Sequence, residues 1–284
     1  MWSTAMRCAL SLTLGCAIAT AALPSLADSP LKRLTLRQDL LGFEAVGRID
    51  FEDGFCSGAL IAPDIVLTAA HCLVNQRTGA RIDPAEATFR AGYRDGATIA
   101  ERRGARAVVL PDYRHDQRDF LQHLVADVGL IELDAPIPSA TASPFAVGAA
   151  PRAGTEVSVV SYARDRSTAP SWQRRCDVEA QGLGAVQVTC DSNFGASGAP
   201  MFDVSTGTPR IVSLISGRTI YNGETRVWGM AIDGAVRELK AALRSGRGVW
   251  PEAETSTARR ITTGDERRTT GARTTSGGAR FVRP

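Results

Sequence analysis

The chain has 284 residues, of which 44% are hydrophobic and 22% charged, so it has the composition of a globular protein with one large or two smaller cores. Its formal net charge of +3 at pH 7 is too small to indicate a nucleic-acid partner, because such a surface needs clustered cationic residues.

The N-terminus has the three parts of a secretory signal peptide. Arg7 supplies the positive charge, residues 8–23 are almost free of charge, and the small residues at 25–27 suit cleavage before Asp28. The apolar stretch is short for a membrane span, which needs about 20 residues, so cleavage is favoured over an anchor. A lipoprotein signal ending at Cys16 is a weaker alternative. We predict a signal peptide over residues 1–27, a secreted or periplasmic protein, and no membrane contact after cleavage.

The next segments predict an N-terminal arm followed by β-strands. Residues 28–40 are polar and basic, which predicts a propeptide or an exposed arm. From residue 41 short apolar runs alternate with turn residues, and strands are predicted at 57–62, 65–68, 89–93, 105–110 and 128–133. Residues 134–154 contain four prolines, which cannot donate to a β-ladder, so we predict a connector there.

A second β-rich half follows the connector. Its predicted strands are at 156–162, 176–180, 185–190, 200–203, 210–216 and 227–232. Residues 234–244 then place Val236, Leu239 and Leu243 at helical spacing, which predicts a closing helix. Two β-rich halves joined by a proline-rich connector predict two small barrels. Residues 247–284 are rich in Thr, Arg, Gly and Ser, and we predict a disordered tail.

Export determines how the cysteines are interpreted. Four of them remain after signal cleavage in an oxidising compartment, and four cysteines allow three disulfide connectivities. Sequence proximity favours Cys56–Cys72 and Cys176–Cys190, each closing a loop of about 15 residues. These spacings are not those of a zinc site, and we predict neither a metal nor a cofactor.

One serine, one histidine and one aspartate stand in distinctive local contexts. Ser197 lies between Gly195 and Gly198, which let the backbone turn so that its N–H groups converge on one point. His71 follows a predicted strand and two alanines, a tight apolar context for a histidine. Asp127 opens an apolar run, where a buried carboxylate needs a partner. Each pattern alone is weak, but together they supply a nucleophile, a base and an orienting carboxylate.

These segments resemble the signature blocks of trypsin/chymotrypsin-like serine proteases. The resemblance rests on residues 68–72 (TAAHC), 127–130 (DVGL), 195–200 (GASGAP), 56–61 (CSGALI) and 211–213 (IVS). It implies an all-β fold of two six-stranded antiparallel barrels with a C-terminal helix, in a protease domain over residues 41–246. It also implies that His71 is the general base, Asp127 its orienting partner and Ser197 the nucleophile, with an oxyanion hole at the N–H groups of Gly195 and Ser197.

The chain departs from the animal trypsin pattern in its activation segment. Ala196 stands where that pattern has an aspartate that pairs with a freshly cut N-terminus. No sequence of the Ile-Val-Gly-Gly type follows Arg33 or Arg37 either, so activation through that ion pair is not expected. The order Cys190-Asp191-Ser192 is more similar to bacterial secreted members, including the glutamyl-endopeptidase-like branch.

Specificity depends on fewer residues. Asp191 lies six residues before Ser197, like the pocket-floor aspartate of trypsins, and with Ser213 it predicts a pocket for Arg or Lys. Val212 occupies the place where glutamate-preferring relatives carry a histidine, which argues against that preference. We therefore predict a monomeric serine endopeptidase acting on proteins or peptides.

Two other classes of function are alternatives to this prediction. One is a non-catalytic protease homologue that acts as a binding module. The other is an α/β-hydrolase esterase, which is disfavoured because its elbow is G-x-S-x-G and its triad order is Ser, Asp, His.

Overall fold

The structure is a computed structural model that describes residues 29–221 and 223–251. The predicted signal peptide and the predicted tail beyond residue 251 lie outside this range. Among the helices of the described residues, none is long and apolar enough to cross a membrane.

Fifteen strands and two α-helices form the described part of the chain. The strands are β1 (Lys32–Arg33), β2 (Val46–Phe51), β3 (Gly54–Ala62), β4 (Ile65–Thr68), β5 (Thr88–Ala91), β6 (Ala100–Val109), β7 (Gly129–Leu133), β8 (Ala146–Val147), β9 (Glu156–Ala163), β10 (Arg166–Gly182), β11 (Ala185–Val188), β12 (Pro200–Asp203), β13 (Arg210–Leu214), β14 (Gly217–Tyr221) and β15 (Glu224–Met230). The helices are α1 (Phe120–Ala126) and α2 (Asp233–Ser245).

The first six-stranded unit is a closed barrel in the order β2-β3-β4-β7-β6-β5. Its interior is filled by large apolar side chains such as Leu60, Leu67, Phe89 and Leu130, all essentially without solvent exposure. Gly47 is required where the barrel closes, because a Cβ atom there would come within 2.4 Å of the Phe89 ring. The barrel holds both ends of β4 and β7 in register, which positions the residues that follow β4 and precede β7.

The second half is a sheet of nine strands in the order β14-β15-β11-β10-β9-β12-β13-β8, with β1 added to β10. The all-β fold with a closing helix is confirmed. The sheet has three strands more than the predicted six: the two-residue strands β1 and β8, of which β8 pairs in parallel with β13, and the edge strand β14, which pairs with β15. Its interior is rich in valines and contains the Cys176–Cys190 disulfide.

Residues 29–40 pack against this second sheet. Lys32 and Arg33 pair with β10, and the backbone N–H of Ser29 donates to the carbonyl of Arg175 at 3.1 Å. Leu34 and Leu40 are completely buried in the main core. The segment was predicted as a propeptide or an exposed arm. In the structure it is a docked arm, because its two leucines anchor an otherwise polar sequence.

The ordered chain continues past the predicted domain end at residue 246. Trp250 is buried and exchanges two backbone hydrogen bonds with Ala107 of β6, at 2.7 and 3.0 Å. Its indole N–H donates to the carbonyl of Ile82 at 2.8 Å. The start of the predicted disordered tail at residue 247 is therefore corrected, because this tryptophan fixes residues 247–250 to the first barrel.

Candidate active site

Asp127 is a fully buried carboxylate between α1 and β7. Its Oδ1 accepts a hydrogen bond from the backbone N–H of His71 at 2.8 Å, and its Oδ2 lies 2.7 Å from Nδ1 of the same residue. The hydroxyl of Ser216 also donates to Oδ2, at 2.6 Å. Three donors therefore compensate the burial of this charge, which would otherwise be strongly unfavourable.

His71 lies on a single 3₁₀ turn (Ala70–Leu73) that directly follows β4. The Cys56–Cys72 disulfide ties this turn to β3. Gly129 allows Asp127 and the turn to approach each other, because a Cβ atom there would come within 2.7 Å of the Leu73 side chain. Local sequence thus fixes the histidine and the aspartate at one corner of the first barrel.

The imidazole of His71 is half-buried, with 21% of its side chain exposed. Burial lowers its pKa, but the charge of Asp127 and the hydrogen bond to that carboxylate raise it more, so the pKa of His71 is above its usual value. Because Nδ1–H donates to Asp127, the neutral ring carries its free lone pair on Nε2.

Tyr113 forms one wall near this pair. Its ring packs in a small cluster with Ala70 and Ala126, and its hydroxyl is buried without a hydrogen-bond partner among the described residues. Burial, and then the charge of Asp127, raises the pKa of the Tyr113 phenol far above its usual range. The phenol therefore stays neutral.

Ser197 lies on a loop whose glycines permit close contact with β3. Gly195 and Gly198 have φ angles of 94° and 76°, which favour glycine. A Cβ atom on Gly198 would lie 2.2 Å from Thr68 Oγ1, and one on Gly195 would lie 2.3 Å from the Phe55 ring. The backbone carbonyl of Ser197 accepts from the N–H of Ser57 at 2.8 Å, which fixes the loop on the first barrel.

Two backbone donors of this loop are free. Among the described residues, neither the N–H of Gly195 nor that of Ser197 has a hydrogen-bond acceptor. The carbonyl of Phe194 accepts from the backbone N–H of Arg164 at 2.7 Å. Since C=O and N–H point in opposite directions in a trans peptide, this bond turns the Gly195 N–H away from Arg164. The loop therefore offers two uncommitted donors, as an oxyanion hole requires.

Ala196 between them is completely buried in the valine-rich core of the second sheet. Its N–H donates to the carbonyl of Asn193 at 3.0 Å, and its carbonyl accepts from Ala199 at 2.9 Å. Apolar packing and these two turn bonds hold the segment where animal trypsins use a buried aspartate.

His71, Gly195 and Ser197 line one cavity of about 580 Å³. The Phe55 and Phe194 rings, Arg164 and the Cys56–Cys72 disulfide form other parts of its wall. The Ser197 hydroxyl makes no hydrogen bond among the described residues. The hydrogen bond between a serine hydroxyl and its histidine base often forms only when substrate binds. Without substrate, His71 and Ser197 line the same cavity.

The predicted specificity residues do not come together as a pocket. Asp191 is exposed, and only its backbone N–H is bonded, to Gln173 Oε1 at 2.7 Å. The Ser213 hydroxyl is fully buried and donates to the carbonyl of Met230 at 2.8 Å, and Val212 is also buried. An exposed aspartate and a serine enclosed between strands do not form a pocket floor and wall. The Arg/Lys preference therefore loses its structural basis.

Ser216 is a site residue that the sequence interpretation missed. It follows β13 and reaches the Asp127 carboxylate across 89 positions of the chain. Its sequence signal is a serine directly after an apolar strand and before a glycine. The resemblance pointed to Ser213 instead, three residues too early.

One group of possible metal ligands was found in the described part of the chain, formed by Cys56, His71 and Cys72. Both cysteines are joined in the disulfide, so neither offers a thiolate. The geometry gives no reason to place a metal there.

The fold and these residues agree with three comparisons. A family model described as trypsin-like peptidase domain matches residues 56–209, more than half of the chain. A glutamyl endopeptidase of Bacillus licheniformis is 25% identical over 167 residues, which are 58% of this chain and 50% of that protein. The chain thus spans about half the length of this curated relative.

A solved structure of a Glu endopeptidase in complex with MPD has the same fold. Its TM-score is 0.63 at 19% identity, and the match covers 77% of this chain and 98% of that one. Together with the family match, this establishes that the chain belongs to the trypsin-like peptidase domain family.

Proposed function

We propose that the chain is a secreted or periplasmic serine endopeptidase that cleaves proteins or peptides through an acyl-enzyme. The observation that carries this proposal is the double hydrogen bond from His71 to the buried Asp127 carboxylate. It leaves Nε2 of His71 as a base at the cavity that Ser197 also lines. The endopeptidase activity in the name of the Bacillus licheniformis relative supports the same reaction.

The proposed reaction begins when the Ser197 hydroxyl attacks the scissile carbonyl carbon while Nε2 of His71 takes its proton. The carbonyl oxygen becomes an oxyanion that accepts from the N–H groups of Gly195 and Ser197. Each such donor contributes about 10²–10³-fold in rate in well-studied cases. His71 then gives its proton to the leaving amine, and a water molecule hydrolyses the acyl-enzyme with the same base.

The state of the serine loop supports activity without a newly cut N-terminus. The Phe194 carbonyl is already bonded to Arg164, and Ala196 is held by apolar contacts. Both disulfides suit an oxidising compartment, which supports export. We accordingly propose that the chain needs no ion-pair activation, and the monomeric state stays a prediction.

A fluorophosphonate probe, which reacts with activated serines, tests this function on the full chain. We expect labelling of the wild type and of Ser205→Ala, which changes an exposed serine in a turn, and no labelling of Ser197→Ala. A folded wild-type protein that stays unlabelled, or equal labelling of Ser197→Ala, would overturn the proposal and favour the non-catalytic binding module.

A further inference from the structure

Ser57 is a completely buried serine on β3 whose side chain faces away from the interior of the first barrel. Successive side chains of a strand point to opposite faces, and its neighbour Gly58 faces inward, because a Cβ atom there would lie 2.8 Å from the Ile49 side chain in the core. Ser57 therefore faces the second sheet and the loop that carries Ser197. A buried hydroxyl at this place needs hydrogen-bond partners there.

The partners of Ser57 lie on both sides of Ala196 in the serine loop. Its Oγ donates to the carbonyl of Gly195 at 2.9 Å, and its backbone N–H donates to the carbonyl of Ser197 at 2.8 Å. Its hydroxyl oxygen also accepts from the backbone N–H of Tyr162 at 3.0 Å. A serine hydroxyl has one proton, and the Tyr162 carbonyl lies farther from Oγ, at 3.4 Å. The shorter distance therefore assigns the proton to the Gly195 carbonyl.

Both halves of the molecule hold this hydroxyl in place. Tyr162 lies on β9, is completely buried, and its phenol donates to the carbonyl of Tyr93 at 2.9 Å. Thr68, at the end of β4, donates from its hydroxyl to the carbonyl of Ser57 at 2.9 Å. The Ser57 side chain is thus fixed by strands on either side of it, and it can fix a loop in turn.

The peptide that Ser57 holds separates the two proposed oxyanion donors, the N–H groups of Gly195 and Ser197. The carbonyl of this Gly195–Ala196 peptide accepts from Ser57, and its N–H donates to the carbonyl of Asn193 at 3.0 Å. Rotation of the peptide changes ψ of Gly195 and φ of Ala196, and with them the angle between the two donors. Such a rotation is easy at a glycine, so the peptide needs an anchor from outside the loop.

We propose that Ser57 is a positioning residue that keeps the oxyanion hole formed, in the role that a buried aspartate has in animal trypsins. This inference rests on the proposed function. Ala196 has no polar side chain, so the Ser57 hydroxyl supplies a polar anchor that Ala196 cannot. Without the hydroxyl, the Gly195 carbonyl and the Tyr162 N–H lose a buried partner, and the peptide rotates toward other partners. The reaction rate then falls with the fraction of molecules whose loop is correctly arranged.

Rates of labelling by a fluorophosphonate test this role, because an oxygen of the phosphonylated serine occupies the proposed oxyanion hole. We expect Ser57→Ala to lower the second-order rate constant at least about tenfold, less than the loss of a whole donor would. The acid limb of the pH profile should not move, because Ser57 has no hydrogen bond to His71 or Asp127 among the described residues. A rate within about twofold of the wild type would overturn the proposal.

Ser158→Ala is the matched control. Ser158 lies on β9, is also completely buried, and its hydroxyl makes the same two kinds of bond away from the serine loop. It accepts from the indole N–H of Trp172 at 2.6 Å and donates to the carbonyl of Gln173 at 3.2 Å. The control should lower thermal stability but leave the labelling rate within about twofold of the wild type. Equal rate losses in both variants would mean that Ser57 acts only through stability, which would overturn the proposal.

Ser57→Thr and Ser57→Val form a second pair, which decides the question if Ser57→Ala does not fold. Threonine and valine have nearly the same shape, so the pair differs chiefly in the hydroxyl. We expect the threonine variant to react about tenfold faster than the valine variant. Equal rates in this pair would show that the hydroxyl has no part in arranging the loop.

Deuterium uptake by the segment 193–199 separates this proposal from the proposed function, because it needs no catalysis. Uptake should rise in Ser57→Ala and stay at the wild-type level in Ser158→Ala. A wild type that is not labelled but shows this local effect keeps Ser57 as the anchor of the loop and overturns the peptidase function. A labelled wild type whose Ser57→Ala variant reacts equally fast keeps the peptidase function and overturns the role of Ser57.

Discussion

Asp127 was predicted to orient His71 and Asp191 to form a pocket floor near Ser197, and their surroundings in the structure are opposite. Asp127 is completely buried and its two oxygens receive three hydrogen bonds from His71 and Ser216. Asp191 is exposed, and its carboxylate has no partner among the described residues. A buried, fully bonded carboxylate can fix a histidine, whereas an exposed one is screened by water and contributes little to recognition.

The two aspartates differ because Asp127 adjoins a strand of the first barrel, whereas Asp191 lies on a loop. Asp127 stands just before β7, whose register with β4 places Gly129 opposite Thr68 at the histidine turn. Asp191 comes after the disulfide-bonded Cys190, on a loop that no strand fixes. A residue that adjoins a paired strand is held in place by that pairing. The number of residues between Asp191 and Ser197 does not fix where the Asp191 side chain lies.

Asp127→Asn should have the largest effect on catalysis. The amide preserves shape but cannot accept both donors of His71 as a carboxylate does, so the ring loses its tautomer and its charge partner. We expect kcat to fall about 10⁴-fold with the fold retained. Steady-state kinetics with a circular-dichroism control measure this, and a loss below about tenfold would contradict the role of Asp127.

The pH profile is the next largest effect. The proposed base works as neutral imidazole, and the pKa of His71 is raised in the folded protein because the Asp127 interactions outweigh burial. Activity should therefore be lost as pH falls through this raised pKa, about tenfold per pH unit, with an acid limb above the pH at which free imidazole titrates. In Asp127→Asn the limb should move to lower pH, and an unmoved limb would assign it to another group.

Ser216→Ala should reduce kcat/KM about tenfold. It removes one donor from a buried carboxylate, a loss of roughly 1.5–3 kcal/mol when the acceptor is charged. Ser213→Ala is the matched control, because that buried hydroxyl donates to the Met230 carbonyl and does not touch Asp127. The control should lower thermal stability but leave kcat/KM within about twofold. Equal activity losses in both variants would mean that Ser216 acts only through stability.

Sequence patterns predicted the parts of the site that depend on local structure. Ser197 and His71 stand in segments whose glycines, alanines and flanking strands determine their own backbone, and the two disulfides close short loops. Ser216 was missed because its role comes from the end of β13 meeting the start of β7, a contact between distant segments.

The same distinction applies to the fold. In the first barrel β4 is almost fully buried and β5 alternates half-buried and buried residues, and both were predictable from their apolar runs, whereas β2 was not predicted. Only residues 176–180 of the long β10 were predicted, because its first half is polar and is covered by the N-terminal arm. Helix α1 has seven residues, about two turns, which is too short for a recognisable amphipathic pattern, and its start depends on the Asp119 side chain accepting from the N–H of Gln122.

Asp191→Asn should have the smallest effect of the four and tests the comparison most directly. An exposed charge without a partner contributes little, so kcat/KM should change by about twofold or less for substrates with Glu, Gln or Arg at the cut site. If Asp191 were instead the floor of a basic-residue pocket, the Arg substrate alone would lose about 100-fold or more, since a buried carboxylate site depends on its charge partner. That outcome would assign recognition of the substrate side chain to Asp191.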